Sequence, residues 1–203
     1  MIYRALPASG HNATWTVVNA DLTDGGLAHS TVKFRWENEG WTLDCGLGPQ
    51  RSQVAIRISA QWEFQQVLLF RDLNDPDLWL ATDGSGRWGE VNGAHRSDLD
   101  GCRLVVVIGT PVAHCIAIRQ LALQVGHGAD LKVAIINPET LAVVPGMARF
   151  ERTGEQTWRY SVFSPSYPSG PINGEEHLVE VEVDEFGLII DEPNQFIRAE
   201  DVA

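Results

Sequence analysis

The sequence predicts a mostly-β protein, a long curved antiparallel sheet wrapped around one short buried helix. Three observations predict it. Apolar and polar residues alternate in run after run. Turns rich in Gly, Asn and Asp separate the runs. One apolar segment near residues 110–119 breaks the alternation.

The alternation starts with Val32, Phe34 and Trp36, set against Thr31, Lys33, Arg35 and Glu37. Trp41, Leu43 and Cys45 follow, then Val54, Ile56 and Ile58. Later runs are Leu121, Leu123 and Val125, then Leu131, Val133 and Ile135. Trp158, Tyr160 and Val162 oppose Thr157, Arg159 and Ser161, and Val179, Val181 and Val183 oppose Glu180 and Glu182. Successive side chains of a strand point to opposite faces, so each run has one wet and one dry face. The expected turns are Asp24-Gly25-Gly26, Asp83-Gly84-Ser85-Gly86, Asn92-Gly93, Asp100-Gly101, Gly126-His127-Gly128, Asn173-Gly174 and Asp184-Glu185-Phe186-Gly187. Their spacing of about ten residues fits a meander of hairpins and argues against strand–helix–strand crossovers. Ser164 to Gly174 is the one long loop candidate.

The segment from Thr110 to Arg119 is read as a helix. Thr110 can cap it, and Pro111 suits a first helical position. Its residues are apolar nearly all round, as in a buried helix. The competing reading is one more strand, since Ile116 and Ile118 are β-branched. The helix is expected to end before Leu121. A large sheet must cover its dry face or close on itself, and this segment is apolar enough to lie inside the curl.

The bulk properties narrow the function. A chain of 203 residues, 44% hydrophobic and 21% charged, suits one globular β domain spanning residues 1–203. A net charge of −12 repels phosphates, so nucleic acid is not an expected partner. The N-terminal residues do not read as a secretory signal, and no apolar stretch is long enough for a transmembrane span. Cys45, Cys102 and Cys115 are odd in number and lack C-x-x-C spacing. That points to buried free thiols in a reducing cytoplasm, with no disulfide framework or zinc knuckle.

An ordered set of segments resembles a bacterial glycolipid-binding family, described as a spiral β-roll. It runs through Asp83-Gly84-Ser85-Gly86-Arg87-Trp88, Leu99-Asp100-Gly101-Cys102, Thr110-Pro111 and Ile118-Arg119-Gln120-Leu121. It continues with Pro138, Leu141 and Val143, then Trp158-Arg159-Tyr160, and closes with Val183 to Pro193 and Phe196-Ile197-Arg198. The resemblance covers residues 83–198. It implies a sheet wound around a central helix, a cleft of the lipid-carrier kind, a glycolipid or other amphipathic small molecule as partner, and a homodimer. Where family members carry a polar Thr-Asn pair after Thr-Pro, this chain has Val112-Ala113-His114-Cys115, and the segment is correspondingly drier.

The candidate ligand-binding residues are Arg119, His114, Trp62, Trp88, Trp158 and Tyr160. His114 is either a satisfied core histidine or a ligand contact. It does not face Cys115, because helix neighbours one apart diverge. Arg119 needs a partner if buried, either a strand carboxylate such as Asp100 or Asp184, or the anionic headgroup of a ligand. The seven tryptophans pack a core or stack on sugars, and Trp62, set among Gln61, Glu63, Gln65 and Gln66, is expected to expose its ring. The acidic groups Asp72, Asp75 and Asp77, Asp98 and Asp100, and Asp184 and Glu185 all stand in turn contexts, so capping is their expected role.

No G-x-S-x-G, H-E-x-x-H, G-x-G-x-x-G or P-loop motif occurs. No catalytic residue, metal or cofactor is therefore assigned. The expected function is non-catalytic binding of an amphipathic molecule between sheet and helix. The alternatives are an interaction module with a solid core, acting as a homodimer, and an enzyme working in the same cleft.

Overall fold

A computed structural model describes residues 3–18, 28–48, 52–71, 75–90, 92–165 and 178–199. The Asp24-Gly25-Gly26 and Asn173-Gly174 turns, Asp72 and most of the loop after Ser164 lie outside them.

Seven strands come first: β1 (His11–Val17), β2 (His29–Glu37), β3 (Gly40–Leu47), β4 (Ser52–Ser59), β5 (Phe64–Phe70), β6 (Leu78–Thr82) and β7 (Trp88–Glu90). After β8 (Leu104–Val107) comes the helix α1 (Val112–Leu121). Then follow β9 (Gly128–Ile136), β10 (Val143–Arg152), β11 (Thr157–Phe163), β12 (Val179–Val183), β13 (Ile189–Glu192) and β14 (Phe196–Arg198). The fourteen strands of the described residues join one sheet in the order β7-β6-β5-β4-β3-β2-β1-β14-β13-β12-β11-β10-β9-β8. Two meanders therefore meet where β1 pairs with β14, through Trp15↔Arg198, Thr16↔Ile197 and Val17↔Phe196.

The alternation expected from the sequence is visible in the strands. On β2, Val32 and Phe34 are buried between exposed neighbours. On β3, Leu43 and Cys45 face the same core, as do Val54, Ile56 and Ile58 on β4. Trp36 departs from its run. It stands at the end of β2, 42% exposed, edge-on to Trp41 with 5.1 Å between ring centroids.

The helix is where expected, and Val112 through Ile118 are all buried in the concave side of the sheet. Several details differ from expectation. Pro111 is the N-cap residue, while the Thr110 hydroxyl accepts from the Val112 N–H at 3.4 Å. The helix also runs on through Leu121 and ends at Ala122, which adopts a left-handed conformation (φ 44°). The alternation of Leu121, Leu123 and Val125 is thus not a strand, and β9 begins only at Gly128.

The sheet is not antiparallel throughout. β8 pairs with β9 in parallel, Leu104↔Val133 through Val107↔Ile136, and α1 is the crossover between them. The sequence reading argued against such a unit, and the chain contains one. Parallel neighbours cannot be joined by a tight turn, so a crossover of a dozen or more residues is needed. β8 is buried along its whole length, and the C-terminal half of β9 is buried on both faces. Such strands read as continuous apolar runs instead of alternating ones.

Candidate functional site

α1 presents different partners on its different faces. Cys115 packs toward β13, its sulfur accepting from the Ile189 N–H at 3.4 Å. Burial pushes its thiol up to about 12. His114 points elsewhere, as the 100° step between helical neighbours requires. Its ring lies against Tyr160 with centroids 4.1 Å apart, and Phe150 stacks behind Tyr160 at 5.5 Å. Phe150 and Tyr160 are direct cross-strand partners on β10 and β11.

A third polar side chain joins His114 and Tyr160. Glu192 closes β13 just before a turn in which Asn194 takes a left-handed conformation (φ 64°) and the Gln195 N–H bonds back to the Glu192 carbonyl. Glu192 is completely enclosed, and its Oε2 is 3.7 Å from His114 Nδ1. The Tyr160 phenol is pushed well above its ordinary value of 10.0, first by burial, then by the Glu192 charge and a loose contact with that carboxylate. Even so, neither ring nitrogen of His114, nor the Tyr160 hydroxyl, nor either Glu192 oxygen forms a hydrogen bond of full geometry. Buried polar groups are normally paired, because leaving one unpaired costs roughly 1–3 kcal/mol.

The fully enclosed Glu192 is not part of its lining, but His114 and Tyr160 sit at one end of a cavity of about 520 Å³. Its walls come from the end of β8 (Val106, Val107), from β11 and β12 (Val162, Val179) and from Phe196. His114 and Tyr160 line it and are only 8% and 3% exposed, so they form its inner end. Leu178, 39% exposed, and the exposed Pro193, Asn194 and Glu180 mark the rim. The volume lies within the range of small-molecule pockets, and so does the combination of apolar walls with a few convergent polar groups.

The structure thus brings two of the six sequence-derived residues, His114 and Tyr160, to this cavity and places the other four elsewhere. Trp88 and Trp158 are core indoles whose N–H groups are satisfied, by the Cys102 carbonyl at 2.9 Å and the Tyr3 hydroxyl at 2.6 Å. Trp62 was expected to expose its ring but is 8% exposed. It has a left-handed backbone (φ 67°), which turns the ring inward beneath Arg119, whose guanidinium carbon lies 4.1 Å from the ring centroid. Arg119 takes neither anticipated strand carboxylate as a direct partner. It donates to the Phe186 and Arg4 carbonyls, while Asp100 pairs with His95 at 2.8 Å. Burial pushes Arg119 down to about 10, and Asp184 acts on it only as a nearby charge.

Glu192 is the residue that sequence reasoning missed. Glu-Pro-Asn reads as a solvated turn, and only the partner strand's dry-face register could have turned the carboxylate inward. Of the acidic turn groups, Asp184 and Asp77 cap backbone N–H groups as expected, whereas Asp98, Asp100 and Glu185 pair with Arg96, His95 and Arg4. Asp184 Oδ1 caps the β12–β13 turn by accepting from the Phe186 and Leu188 N–H groups at 2.9 Å, and Asp77 accepts from Arg71.

Comparison with known proteins adds the following. A family described as "putative glycolipid-binding" matches residues 13–198 of the chain. A DUF1089 family protein from Pseudomonas aeruginosa, known from its crystal structure, is similar in fold, with a TM-score of 0.64 and 20% identity over 98% of this chain and 96% of that one. No curated protein matches.

Proposed function

The chain belongs to the putative glycolipid-binding family, and from that premise we propose that it binds a glycolipid or similar amphipathic molecule in the cavity beside the start of α1. One observation carries this reading. The cavity joins apolar walls to two buried, under-satisfied polar side chains, His114 and Tyr160. An apolar chain gains by leaving water for the walls, at about 25 cal/mol per Å². A polar end gains by completing hydrogen bonds that the protein leaves open.

A module with a solid interior fits less well. The space around α1 is packed, but the space at its N-terminal end is open.

The test combines native mass spectrometry of freshly purified protein with titration of a fluorescent lipid. A bound amphipath and saturable uptake are the expected results. Val179→Trp, placed in the half-buried wall, should reduce uptake about tenfold or more while thermal stability changes little. Uptake that survives the blocked cavity would show the ligand bound elsewhere.

A further inference from the structure

We propose that the cavity takes a single-chain lipid with a small, uncharged oxygen headgroup, a hydroxyl above all, seated head-first against His114 and Tyr160. The proposal rests on the cavity being an amphipath site and narrows its occupant by size and by headgroup.

Volume sets the size. At about 30 Å³ for each carbon- or oxygen-sized group, the share of one water in the liquid, a cavity of about 520 Å³ holds about seventeen of them. One chain with a one-oxygen head fits that space, and a pair of such chains does not. A hexose head alone takes about a dozen groups and leaves room for a chain of about five. The walls also resist enlargement. Val106 and Val107 are buried members of the core around α1. At the inner end Phe150 backs Tyr160, so the space cannot deepen without disturbing close-packed side chains.

The headgroup follows from the unpartnered polar groups. Of the described residues that line the cavity, only His114 and Tyr160 carry enclosed side-chain atoms without a hydrogen bond. Tyr160 keeps its proton, so its O–H can donate to a ligand oxygen. The neutral form of an imidazole has one acceptor nitrogen, to which a ligand hydroxyl can donate. One hydroxyl is thus answered in full by two protein groups. A sugar brings several hydroxyls to a place with two partners, and each one left over loses its hydration without return. No Arg or Lys lines the cavity, so a carboxylate or phosphate would be buried there without a counter-charge.

Direction follows from the same distribution. The open polar valences are at the enclosed end, while half-buried Val162 and Val179 and exposed Leu178 lead outward. The head therefore seats deepest, and the chain runs out along the apolar walls.

Calorimetric titration with octanol, decanol, decanoate and decyl glucoside, each below its solubility or micelle limit, tests the proposal on the wild-type protein. Decanol should bind at least about tenfold more tightly than decanoate and decyl glucoside. It should also bind roughly tenfold more tightly than octanol, since each buried methylene is worth about fourfold. Saturation-transfer NMR should show the carbinol protons of decanol more strongly saturated than its terminal methyl. Tyr160→Phe should weaken decanol about fivefold while the melting temperature holds, because the hydroxyl has no full hydrogen bond within the protein to lose. Decanoate or decyl glucoside binding as tightly as decanol overturns the headgroup proposal while leaving the cavity reading intact. Strongest saturation at the methyl, or unchanged decanol binding in Tyr160→Phe, overturns the head-first seating. Binding of none of the four overturns both readings. If Tyr160→Phe does not fold, the wild-type ligand series and the NMR contrast still decide the matter.

Discussion

Three thiols show how thoroughly single residues are enclosed. Cys45, Cys102 and Cys115 are all buried and unpaired. Burial raises each thiol above its ordinary value of 9.0, to about 11 for Cys102 and about 12 for Cys115, with Cys45 raised as well. A group whose folded pKa is raised binds its proton more tightly in the native state. Its contribution to stability is complete below pH 9 and is lost as pH climbs through 11 to 12. The melting temperature should hold steady to about pH 9 and then fall, and a thiol reagent at pH 8 should label none of the three until the protein unfolds. The burial of these cysteines was legible in the sequence because their count and spacing left no bridge to form. Trp62 was not legible, because its polar neighbours describe the surface around it while a left-handed backbone turns its ring inward.

Short elements carry the geometry of the fold, and the turn between β12 and β13 shows how. Asp184 holds two N–H groups, and Gly187 returns its own N–H to the Asp184 carbonyl at φ 74°. A Cβ on Gly187 would lie 2.9 Å from the Tyr3 ring, whose hydroxyl accepts from Trp158. Gly187→Ala therefore combines backbone strain with a clash against the core, and urea denaturation should show a loss of about 1–3 kcal/mol. This turn was legible from its Asp-x-x-Gly chemistry. The strand–helix–strand unit β8-α1-β9 was not read as one. Its own signal was present in Leu104-Val105-Val106-Val107, an unbroken apolar run of the kind that strands buried on both faces produce. Hairpin spacing elsewhere in the chain outweighed it. The cost of that misreading fell on the site, since the crossover is what brings His114 beside the β11 and β13 strands.

The whole molecule depends on a narrow seam. Each meander is made of neighbours in sequence, and among the described residues the two pair as strands only through the β1–β14 ladder. β14 is an interior strand paired on both sides, and Ile197 within it is 51% exposed at its side chain. Backbone and side chain can therefore be tested separately. Ile197→Ser should be nearly neutral, whereas Ile197→Pro removes an interior ladder donor and should cost about 3 kcal/mol or more. Hydrogen exchange should then show protection falling in both meanders together. The curled sheet and its enclosed helix were legible at this scale because alternation and one apolar segment express them. The strand order was not legible, because pairing between distant segments leaves no local trace.

That seam also sets a timetable for synthesis. Until residues 196–198 have left the ribosome, β1 waits with one flank open, and a bare strand edge invites pairing with other chains. The first half of this protein is thus at its most vulnerable while the second is still being made, and crowded expression is where losses to aggregation would arise.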